Sequence, residues 1–566
     1  MTIGLTGIIG LGTVGEAFLR LAHQAGHRIV AVDTDLDVLA RVGNRLKALA
    51  ADSVVLTDDL AALKDATVII EAVPDELALK TAVLRRLGEV SQAPVLTTAS
   101  ALSVPHLAIA SGRPETVAGL RFLVPPGPGG TVEPAPTALT SPATASAVDS
   151  LIAELGLTPV EIGAGPAEDA TALVMAYLNR SVAFLEAGHA TRDDIDTAMR
   201  LGCGLPYGPL RLLDTLGLDT AHATLTRLRR QTGDPSFAPA PLLTRLVDSG
   251  RLGRKTGEGF HAYDDEGGTS SEAPRDSPVG RPVRTVAVLG SGVMARGIAE
   301  VTATAGHPTV LVARGRDKAD AALAAIADSL TRAVRRGRTT PEQKAAALAR
   351  LTPATDLQAV ADRDLVIEAV AEDLDVKRPL FARLGTVAKA DAILATTTSS
   401  LSVTACAQAS GRAADVVGMH FFNPAPALRL VELVRTDATS DDAFTGADAF
   451  AAGLGKSTVT CPDRAGFIVN CLLFPYLGAA VGLLRRPGTD IEATDNAVQQ
   501  GYGHPMGPFA LLDTIGLDVA LAIQRRLYDQ LAQPEQKPAP LLADLVAAGA
   551  LGRKNGRGFR TAGGRR

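Results

Sequence analysis

Two segments of the chain align without a gap and differ at the residues best suited to proton transfer. MHFFNPAPALRLVE spans 419–432 and LRFLVPPGPGGTVE spans 120–133, so corresponding residues lie 299 positions apart (420 minus 121). The later segment carries His420 where the earlier one carries Arg121. A histidine can accept and donate a proton near neutral pH, whereas an arginine stays protonated and cannot act as a base. The sequence therefore predicts acid–base chemistry in the second segment and none in the first.

The two segments belong to a repeat that covers most of the chain. GRLGRKTGEGF recurs as GALGRKNGRGF, and GCGLPYGPLRLLDTLGLD recurs as GYGHPMGPFALLDTIGLD, both at the same offset of 299. The offset is smaller near the start of each copy, at 280 between Gly10 and Gly290 and 297 between Glu71 and Glu368. The second copy therefore holds 17 additional residues (297 minus 280) after its second predicted strand.

Composition narrows the classes of function. The 566 residues carry a net charge of −5, so no strong field attracts nucleic acid or an acidic membrane, and neither is expected as a partner. The four cysteines form no CxxC pair, which gives no sign of a disulfide framework or a metal site and suits a reducing cytoplasm. An uncharged run at 466–484 is interrupted by Asn470 and Pro475, and we predict an interface helix there rather than a membrane span.

Elements able to position these residues alternate along each copy. Short uncharged runs such as TVAVLG and DLVIEAV are typical of parallel strands buried on both faces. Each copy then ends in about 100 residues of helical pattern. We predict an α/β plus all-α chain in which two Rossmann-type doubly wound domains are each followed by a helical domain. The predicted segments are a degenerate nucleotide-binding domain at 1–165, a first helical domain at 166–263, a linker at 264–283, a catalytic Rossmann domain at 284–461 and a second helical domain at 462–566.

The first copy carries a complete dinucleotide-binding fingerprint. GLGTVG supplies Gly10 for a tight turn, Gly12 for close approach of a pyrophosphate and Gly15 for close helix packing. Asp33 follows the second strand, where a carboxylate bonds the ribose hydroxyls of NAD. The first copy is therefore expected to be able to bind NAD(H).

The second copy keeps the glycine loop but loses the acid. Gly290 and Gly292 remain, Ala295 replaces the third glycine, and Ala313 stands where the first copy has Asp33. Arg314 follows, and an arginine can pair with a 2′-phosphate that a carboxylate would repel. This pattern favours NADPH over NADH, while a solvated arginine with relaxed NAD(P)(H) specificity stays open.

Five ordered motifs across 284–560 resemble the L-3-hydroxyacyl-CoA dehydrogenases. They are TTSSLS, HFFNPAPALRLVE, PDRAGFIVN, GHPMGPFALLDTIGLD and LGRKNGRGF. The first copy resembles the same family over 4–263, with changes at its chemical positions. The resemblance implies hydride transfer between a nicotinamide and a 3-hydroxyacyl or 3-oxoacyl thioester.

The resemblance also implies roles for individual residues. His420 would be the acid–base catalyst, Glu432 would orient its ring, and Ser399 and Asn470 would bond the reacting oxygen. Cofactor contacts would come from Glu372, Lys377, Asn423 and Lys554. In the additional residues of the second copy, 328–351 predict two helices that contact an acyl-CoA through Ser329 and Arg336, although a solvated basic helix face stays open. Ser399 would also contact the substrate.

The first copy lacks this chemistry, since Arg121 and Thr171 replace the histidine and the asparagine, although Ser100, Glu133, Lys80 and Lys255 remain. Because family members associate through their helical domains, we predict that it forms an intramolecular pseudo-dimer with the second copy. Further homo-oligomerisation stays open. So do an acyl-carrier-protein thioester as the substrate and a non-catalytic nucleotide-sensing or assembly role.

Overall fold

The chain forms two eight-stranded sheets, one from each copy. The computed structural model describes residues 4–47, 53–99, 102–122, 124–159, 166–264, 280–486 and 489–560. The strand orders are β3-β2-β1-β4-β5-β6-β7-β8 and β11-β10-β9-β12-β13-β14-β15-β16. Neighbouring strands are parallel except β6–β7 and β14–β15. The predicted fold class of tandem Rossmann-type and helical domains is confirmed.

The elements of the first copy are the strands β1 (Leu5–Ile9), β2 (Arg28–Val32), β3 (Val54–Thr57), β4 (Val68–Glu71), β5 (Val95–Thr97), β6 (Val117–Arg121), β7 (Thr131–Ala135) and β8 (Thr158–Pro159), and the helices α1 (Thr13–Gln24), α2 (Leu36–Lys47), α3 (Leu77–Val90), α4 (Val104–Ala110), α5 (Pro142–Glu154), α6 (Pro166–Glu186), α7 (Arg192–Cys203), α8 (Pro209–Leu216), α9 (Leu218–Thr232) and α10 (Pro241–Asp248).

The elements of the second copy are the strands β9 (Val286–Leu289), β10 (Thr309–Val312), β11 (Leu351–Ala354), β12 (Leu365–Glu368), β13 (Ile393–Thr396), β14 (Val416–Phe421), β15 (Leu430–Arg435) and β16 (Ser457–Pro462), and the helices α11 (Val293–Thr304), α12 (Arg316–Arg335), α13 (Pro341–Ala349), α14 (Leu374–Val387), α15 (Val403–Ser410), α16 (Asp441–Gly453), α17 (Val469–Leu483), α18 (Ile491–Tyr502), α19 (Pro508–Ile515), α20 (Leu517–Leu531) and α21 (Pro540–Ala547).

The turn between the first strand and first helix needs glycine in both copies. Gly10 and Gly290 have positive φ values of 85° and 129°, which side chains disfavour. A Cβ on Gly15 would lie 1.8 Å from the Gly10 carbonyl oxygen, so this helix packs against the turn only without a side chain. In the second copy Ala295 stands at the position of Gly15 and is fully buried, so the turn there accommodates a methyl group.

The additional residues of the second copy lengthen one helix and add another. α12 has 20 residues where α2 has 12, and the nine-residue α13 follows a short turn. Thr340 and Gln343 form a capping box that starts α13. The helix–turn–helix predicted for 328–351 is therefore confirmed, its first helix being the end of α12.

The two helical domains pack against each other around a local pseudo-twofold axis. α6 contacts both α17 and α18, and the rings of Tyr177 and Tyr476, which are 299 positions apart, lie 6.0 Å from each other. α17 covers most of the uncharged run at 466–484 and is an interface helix, as predicted. Among the described residues, no helix has the length and apolar character needed to cross a bilayer. Residues 265–279 of the predicted linker lie outside the described part of the chain.

Each helical domain also reaches across to the other copy's sheet. α7 of the first copy packs against β15 and β16, and α18 of the second copy packs against β7. The Thr131 hydroxyl in β7 donates to the Gln500 carbonyl oxygen at 2.8 Å. The two copies are therefore cross-braced, and each sheet is in contact with a helix of the opposite copy.

Candidate active site

A buried histidine–glutamate pair lies where β14 and β15 meet. Antiparallel register places His420 directly opposite Glu432, and His420 Nδ1 lies 2.6 Å from Glu432 Oε2. The other carboxylate oxygen accepts the backbone N–H groups of Ile468 and Val469, at 3.0 and 2.9 Å. These amides lie at the start of α17, whose N-terminus favours negative charge. Glu432 is thus fixed as an acceptor for Nδ1–H, which leaves Nε2 as the nitrogen able to exchange a proton.

Aromatic side chains enclose the imidazole. The rings of Phe422 and Phe467 lie 4.6 and 5.6 Å from that of His420. Phe467 has a φ of 50°, uncommon for a bulky residue. This left-handed residue directly precedes the two amides that bind Glu432, so a costly backbone conformation occurs where the carboxylate is held.

A second polar network includes Asn470, which follows Val469 directly in the chain. The Asn470 side-chain amide, one residue beyond Val469, donates to the Ser399 carbonyl oxygen at 3.3 Å. Glu372 Oε1 accepts from the Ser399 amide and hydroxyl at 2.8 and 3.1 Å, and from the Thr398 hydroxyl at 2.7 Å. Burial would raise the pKa of Glu372, but the Lys377 charge and these hydrogen bonds outweigh burial and lower that pKa. The predicted residues Ser399, Asn470 and Glu372 are therefore brought together.

Arg526 joins this network from the helical domain, and sequence reasoning missed it. Its Nη1 donates to the Ser400 hydroxyl at 2.8 Å and lies 3.8 Å from Glu372. The equivalent residue of the first copy, Arg227, instead pairs with Glu168 at 3.0 Å within its own helical domain. The pair of arginines was visible in the repeat, but which loop faces α20 depends on the packing of the two domains.

The glycine loop of the second copy has the geometry of an anion site. A Cβ on Gly292 would meet no atom within 4 Å, so the backbone there is open to a ligand. No side chain caps the N-terminus of α11. Open backbone and uncapped helix amides suit the pyrophosphate of a dinucleotide. Ala313 follows β10 beside this loop, and Arg314 next to it is exposed.

The corresponding loop of the first copy is organised by Asp33. One oxygen of this carboxylate accepts the Leu11 amide at 2.7 Å, and the other accepts the Asp35 amide at 3.0 Å. Gly12 again has open space in place of a side chain, and no side chain caps α1. The first copy therefore retains a loop that fits a dinucleotide pyrophosphate.

Lys377 lies in a buried ion pair rather than at a surface. It is 1% exposed, and its Nζ lies 2.6 and 2.7 Å from the two oxygens of Glu368. Lys80 and Glu71 repeat the pair in the first copy at 2.8 and 3.0 Å. In this arrangement Lys377 supports the sheet and the charge of Glu372, and its contact with a cofactor stays a prediction.

Lys554 also forms an ion pair, but in the helical domain and at the surface. Its Nζ lies 2.8 and 2.9 Å from the carboxylate oxygens of Asp518, at the start of α20. Lys255 and Asp219 form the same pair in the first copy. The pair holds the segment after the last helix to the start of the preceding one, and a cofactor contact by Lys554 likewise stays a prediction.

A basic cavity of about 750 Å³ lies between α11, α12 and the segment after β14. Ser329, Arg336 and Asn423, predicted as binding residues, all line it. The further charged side chains of the lining are Arg296, Glu300, Arg332, Arg338 and Lys456. Burial raises the pKa of Glu300, against the opposing effects of a hydrogen bond from Ser329 and the Arg332 charge. The cavity therefore has a strong excess of cations, which suits phosphate groups.

The first copy repeats the geometry of the pair without its chemistry. Arg121 lies opposite Glu133 in the β6–β7 register, with 3.5 Å between the charged atoms. Thr171, in the position of the asparagine, accepts a hydrogen bond from the Tyr502 hydroxyl at 3.2 Å. Ser100 lies outside the described residues. The described residues at this place thus contain an ion pair and a threonine, and an arginine that cannot act as a base stands where the second copy has its histidine.

Two Rossmann-type sheets, open glycine loops and a buried acid–base pair define the class of nicotinamide-nucleotide oxidoreductases. Two family models each match the chain twice. The 3-hydroxyacyl-CoA dehydrogenase NAD-binding domain matches residues 5–165 and 285–464, and the C-terminal domain of that family matches 170–263 and 466–562. The chain belongs to the 3-hydroxyacyl-CoA dehydrogenase family, in a tandem arrangement.

Individual relatives agree with this assignment. A 3-hydroxybutyryl-CoA dehydrogenase of Mycobacterium tuberculosis is 44% identical over 281 residues, which cover 49% of this chain and 98% of the relative. The human mitochondrial hydroxyacyl-coenzyme A dehydrogenase is 41% identical over 285 residues, covering 49% of this chain and 90% of the relative. The crystal structure of a 3-hydroxybutyryl-CoA dehydrogenase from Escherichia coli covers 97% of this chain and 100% of its own, with a TM-score of 0.56 and 21% identity, and so shares its fold.

Replacement of Lys377 by Met tests whether this lysine is structural. Removing one partner of a buried ion pair leaves an unpaired charge, so we expect a loss of about 3–5 kcal/mol in the unfolding free energy of the domain. Lys80→Met is the matched control in the first copy and is expected to cost a similar amount. Urea denaturation with a probe in each Rossmann domain measures both. A stable Lys377→Met protein that has lost only nucleotide affinity would contradict the structural role.

Replacement of Arg526 by Gln tests the contact between the helical domain and the 397–402 loop. Loss of a hydrogen bond from a charged donor costs about 1.5–3 kcal/mol. The amides of this loop should then exchange with solvent at least about tenfold faster in hydrogen-exchange mass spectrometry. Arg227→Gln, at the equivalent position of the first copy, should leave this loop unchanged. Equal exchange in both variants would mean that Arg526 does not hold the loop.

Proposed function

We propose that the second copy interconverts (S)-3-hydroxyacyl-CoA and 3-oxoacyl-CoA by hydride transfer with a nicotinamide nucleotide. The observation that carries this proposal is the buried His420–Glu432 pair, held 2.6 Å apart beside the Ser399–Asn470 contact. The family assignment supplies the reaction class. The first copy, with Arg121 in place of the histidine, does not catalyse it.

The proposed mechanism uses each residue for one task. In reduction, Nε2 of the His420 imidazolium donates a proton to the carbonyl oxygen, and in oxidation the neutral ring accepts the hydroxyl proton. Glu432 holds Nδ1–H and stabilises the imidazolium. The Ser399 hydroxyl and the Asn470 amide provide hydrogen bonds for the oxygen as its charge changes. The nucleotide, when bound at the loop of Gly290 and Gly292, supplies or accepts the hydride.

NADP(H) is the proposed nucleotide of the second copy. Ala313 removes the carboxylate that would repel a 2′-phosphate, and the exposed guanidinium of Arg314 is free to approach it. Cellular use of NADPH would favour the reductive direction, from the 3-oxoacyl to the 3-hydroxyacyl thioester. Asp33 supports NAD(H) in the first copy, so that one chain would hold two different nucleotides.

Coenzyme A is the proposed carrier of the acyl group. The cations of Arg332, Arg336 and Arg338 are exposed and line one cavity, where the phosphates of coenzyme A could pair with them. An acyl carrier protein would instead meet these arginines from outside with its acidic surface. The Ser329 hydroxyl lies in the same cavity beside Glu300. Location in the cytoplasm, the domain boundaries and the oligomeric state remain predictions.

The proposed reaction is tested by initial rates of acetoacetyl-CoA reduction, followed by nicotinamide absorbance. His420→Ala should lower kcat about 10²- to 10⁴-fold, the usual contribution of acid–base catalysis. Arg121→Ala, at the same register position of the first copy, should leave kcat unchanged. Activity on a carrier-protein thioester but not on acetoacetyl-CoA would favour the carrier alternative, and inactivity on both would favour a nucleotide-sensing role.

The choice of nucleotide is tested by Arg314→Gln. Loss of a charge-assisted contact with a 2′-phosphate costs about 1.5–3 kcal/mol. We therefore expect kcat/KM for NADPH to fall about 10- to 100-fold while that for NADH stays the same. Arg316→Gln is the matched control, because Arg316 is also exposed but pairs with Asp320 at 3.0 Å. A wild-type preference for NADH would contradict the proposed specificity and leave the reaction standing.

A further inference from the structure

Helix α7 belongs to the first copy but lies against the catalytic sheet of the second. The Thr460 amide in β16 donates to Asp194 Oδ1 at 3.3 Å, near the start of the helix. Near its end, a Cβ built on Gly202 would lie 3.0 Å from methyl groups of both Leu430 and Val469, and 3.6 Å from the Phe422 ring. The contact is therefore close, and a side chain at Gly202 would require its neighbours to move by a few tenths of an ångström.

The three residues that a Cβ on Gly202 would meet lie close to the histidine–glutamate pair. Leu430 lies in β15 two residues before Glu432, so the two side chains are on the same face of the strand. The Val469 amide donates to Glu432 at 2.9 Å. The Phe422 ring lies 4.6 Å from the His420 ring. The end of α7 thus lies against a side chain next to the imidazole and against the residue whose amide binds the carboxylate.

The Cys203 thiol at the end of α7 is close enough to Glu432 to feel its charge. Burial, and then the charge of Glu432, raises the pKa of the Cys203 thiol to about 12. The thiol therefore stays neutral at physiological pH and presents no second charge to the carboxylate. The Glu432 carboxylate is itself fully buried. An ion pair excluded from water is stronger than an exposed one.

We propose that α7 of the first copy is a positioning element of the catalytic centre in the second copy. The first copy is then required for turnover itself, beyond its role in the helical interface. The site is built across both copies, and α7 contacts no reacting atom. This inference rests on the proposed function, because it concerns the same histidine–glutamate pair.

The test is Gly202→Ala in the full chain. The new methyl group must displace Leu430, Val469 or both, since ordinary carbon contacts are about 3.5–4.0 Å. A small misplacement at a catalytic centre can cost up to about 100-fold in rate. We expect kcat for acetoacetyl-CoA reduction to fall at least about tenfold. The apparent pKa in the pH dependence of kcat should shift, while the dissociation constant for NADPH stays the same.

Gly501→Ala is the matched control. Gly501 lies 299 positions later, at the equivalent place on α18, which packs against β7 of the first copy's sheet. Both substitutions replace a helical glycine by alanine, so both gain the same intrinsic helix propensity. Gly501→Ala should leave kcat and its pH profile unchanged.

A second variant separates displacement from misfolding. Val469→Ala removes a methyl group that the new Cβ would meet, so the double variant Gly202→Ala/Val469→Ala should recover most of the lost kcat and any lost thermal stability. A folded Gly202→Ala protein with wild-type kcat and pH profile would overturn the inference, as would an equal loss in Gly501→Ala or a folded double variant without recovery. A wild-type chain inactive on every thioester would instead overturn the proposed function, and the inference with it.

Discussion

The carboxylate of Glu432 is buried and connects its own strand, β15, to two further elements, β14 and α17. It lies opposite His420 on the adjacent strand β14 and accepts two backbone N–H groups at the start of α17. Desolvation of a charge is expensive, and a buried carboxylate persists only when its oxygens are satisfied with good geometry. That requirement fixes the strand register, the start of the helical domain and the plane of the imidazole together. Asn470 follows directly, so the same helix start also delivers the amide that meets Ser399.

The first copy shows which parts of this arrangement belong to the fold and which to the chemistry. Its sheet has the same strand order, and Arg121 and Glu133 keep the register of the catalytic pair. Their 3.5 Å ion pair satisfies the carboxylate with a permanent cation. Burial raises the pKa of Glu133, and the Arg121 charge opposes this effect. The fold therefore tolerates either partner for the glutamate, and a histidine is needed only where a proton must move.

Features carried by neighbouring residues could be predicted from the sequence, and features created by packing could not. Each glycine loop and the insert between β10 and β11 lie within one short segment. The change from Asp33 to Ala313 is visible once the two copies are aligned. The repeat indicated the equivalence of His420 and Arg121 because the offset is constant there. The contact of Arg526 with Ser400 spans 126 positions and depends on how one domain closes on the other. Burial of Lys377 could not be predicted from the sequence either. An exposed helix and a helix packed on a sheet can share the pattern of one lysine and several acids.

Fusion of two copies in one chain makes the two contacts between helix and opposite sheet independent of each other. In a symmetric dimer the surface that a helix such as α7 presents to its partner is identical in both directions, so a change serves or harms two active sites at once. In this chain α7 meets the catalytic sheet and α18 meets the inactive one. Gly202 must match Leu430 and Val469, whereas Gly501 belongs to a helix whose partner sheet performs no acid–base chemistry. With the proposed role of α7, a change at this helix acts on a single catalytic centre, and the first copy contributes to that centre.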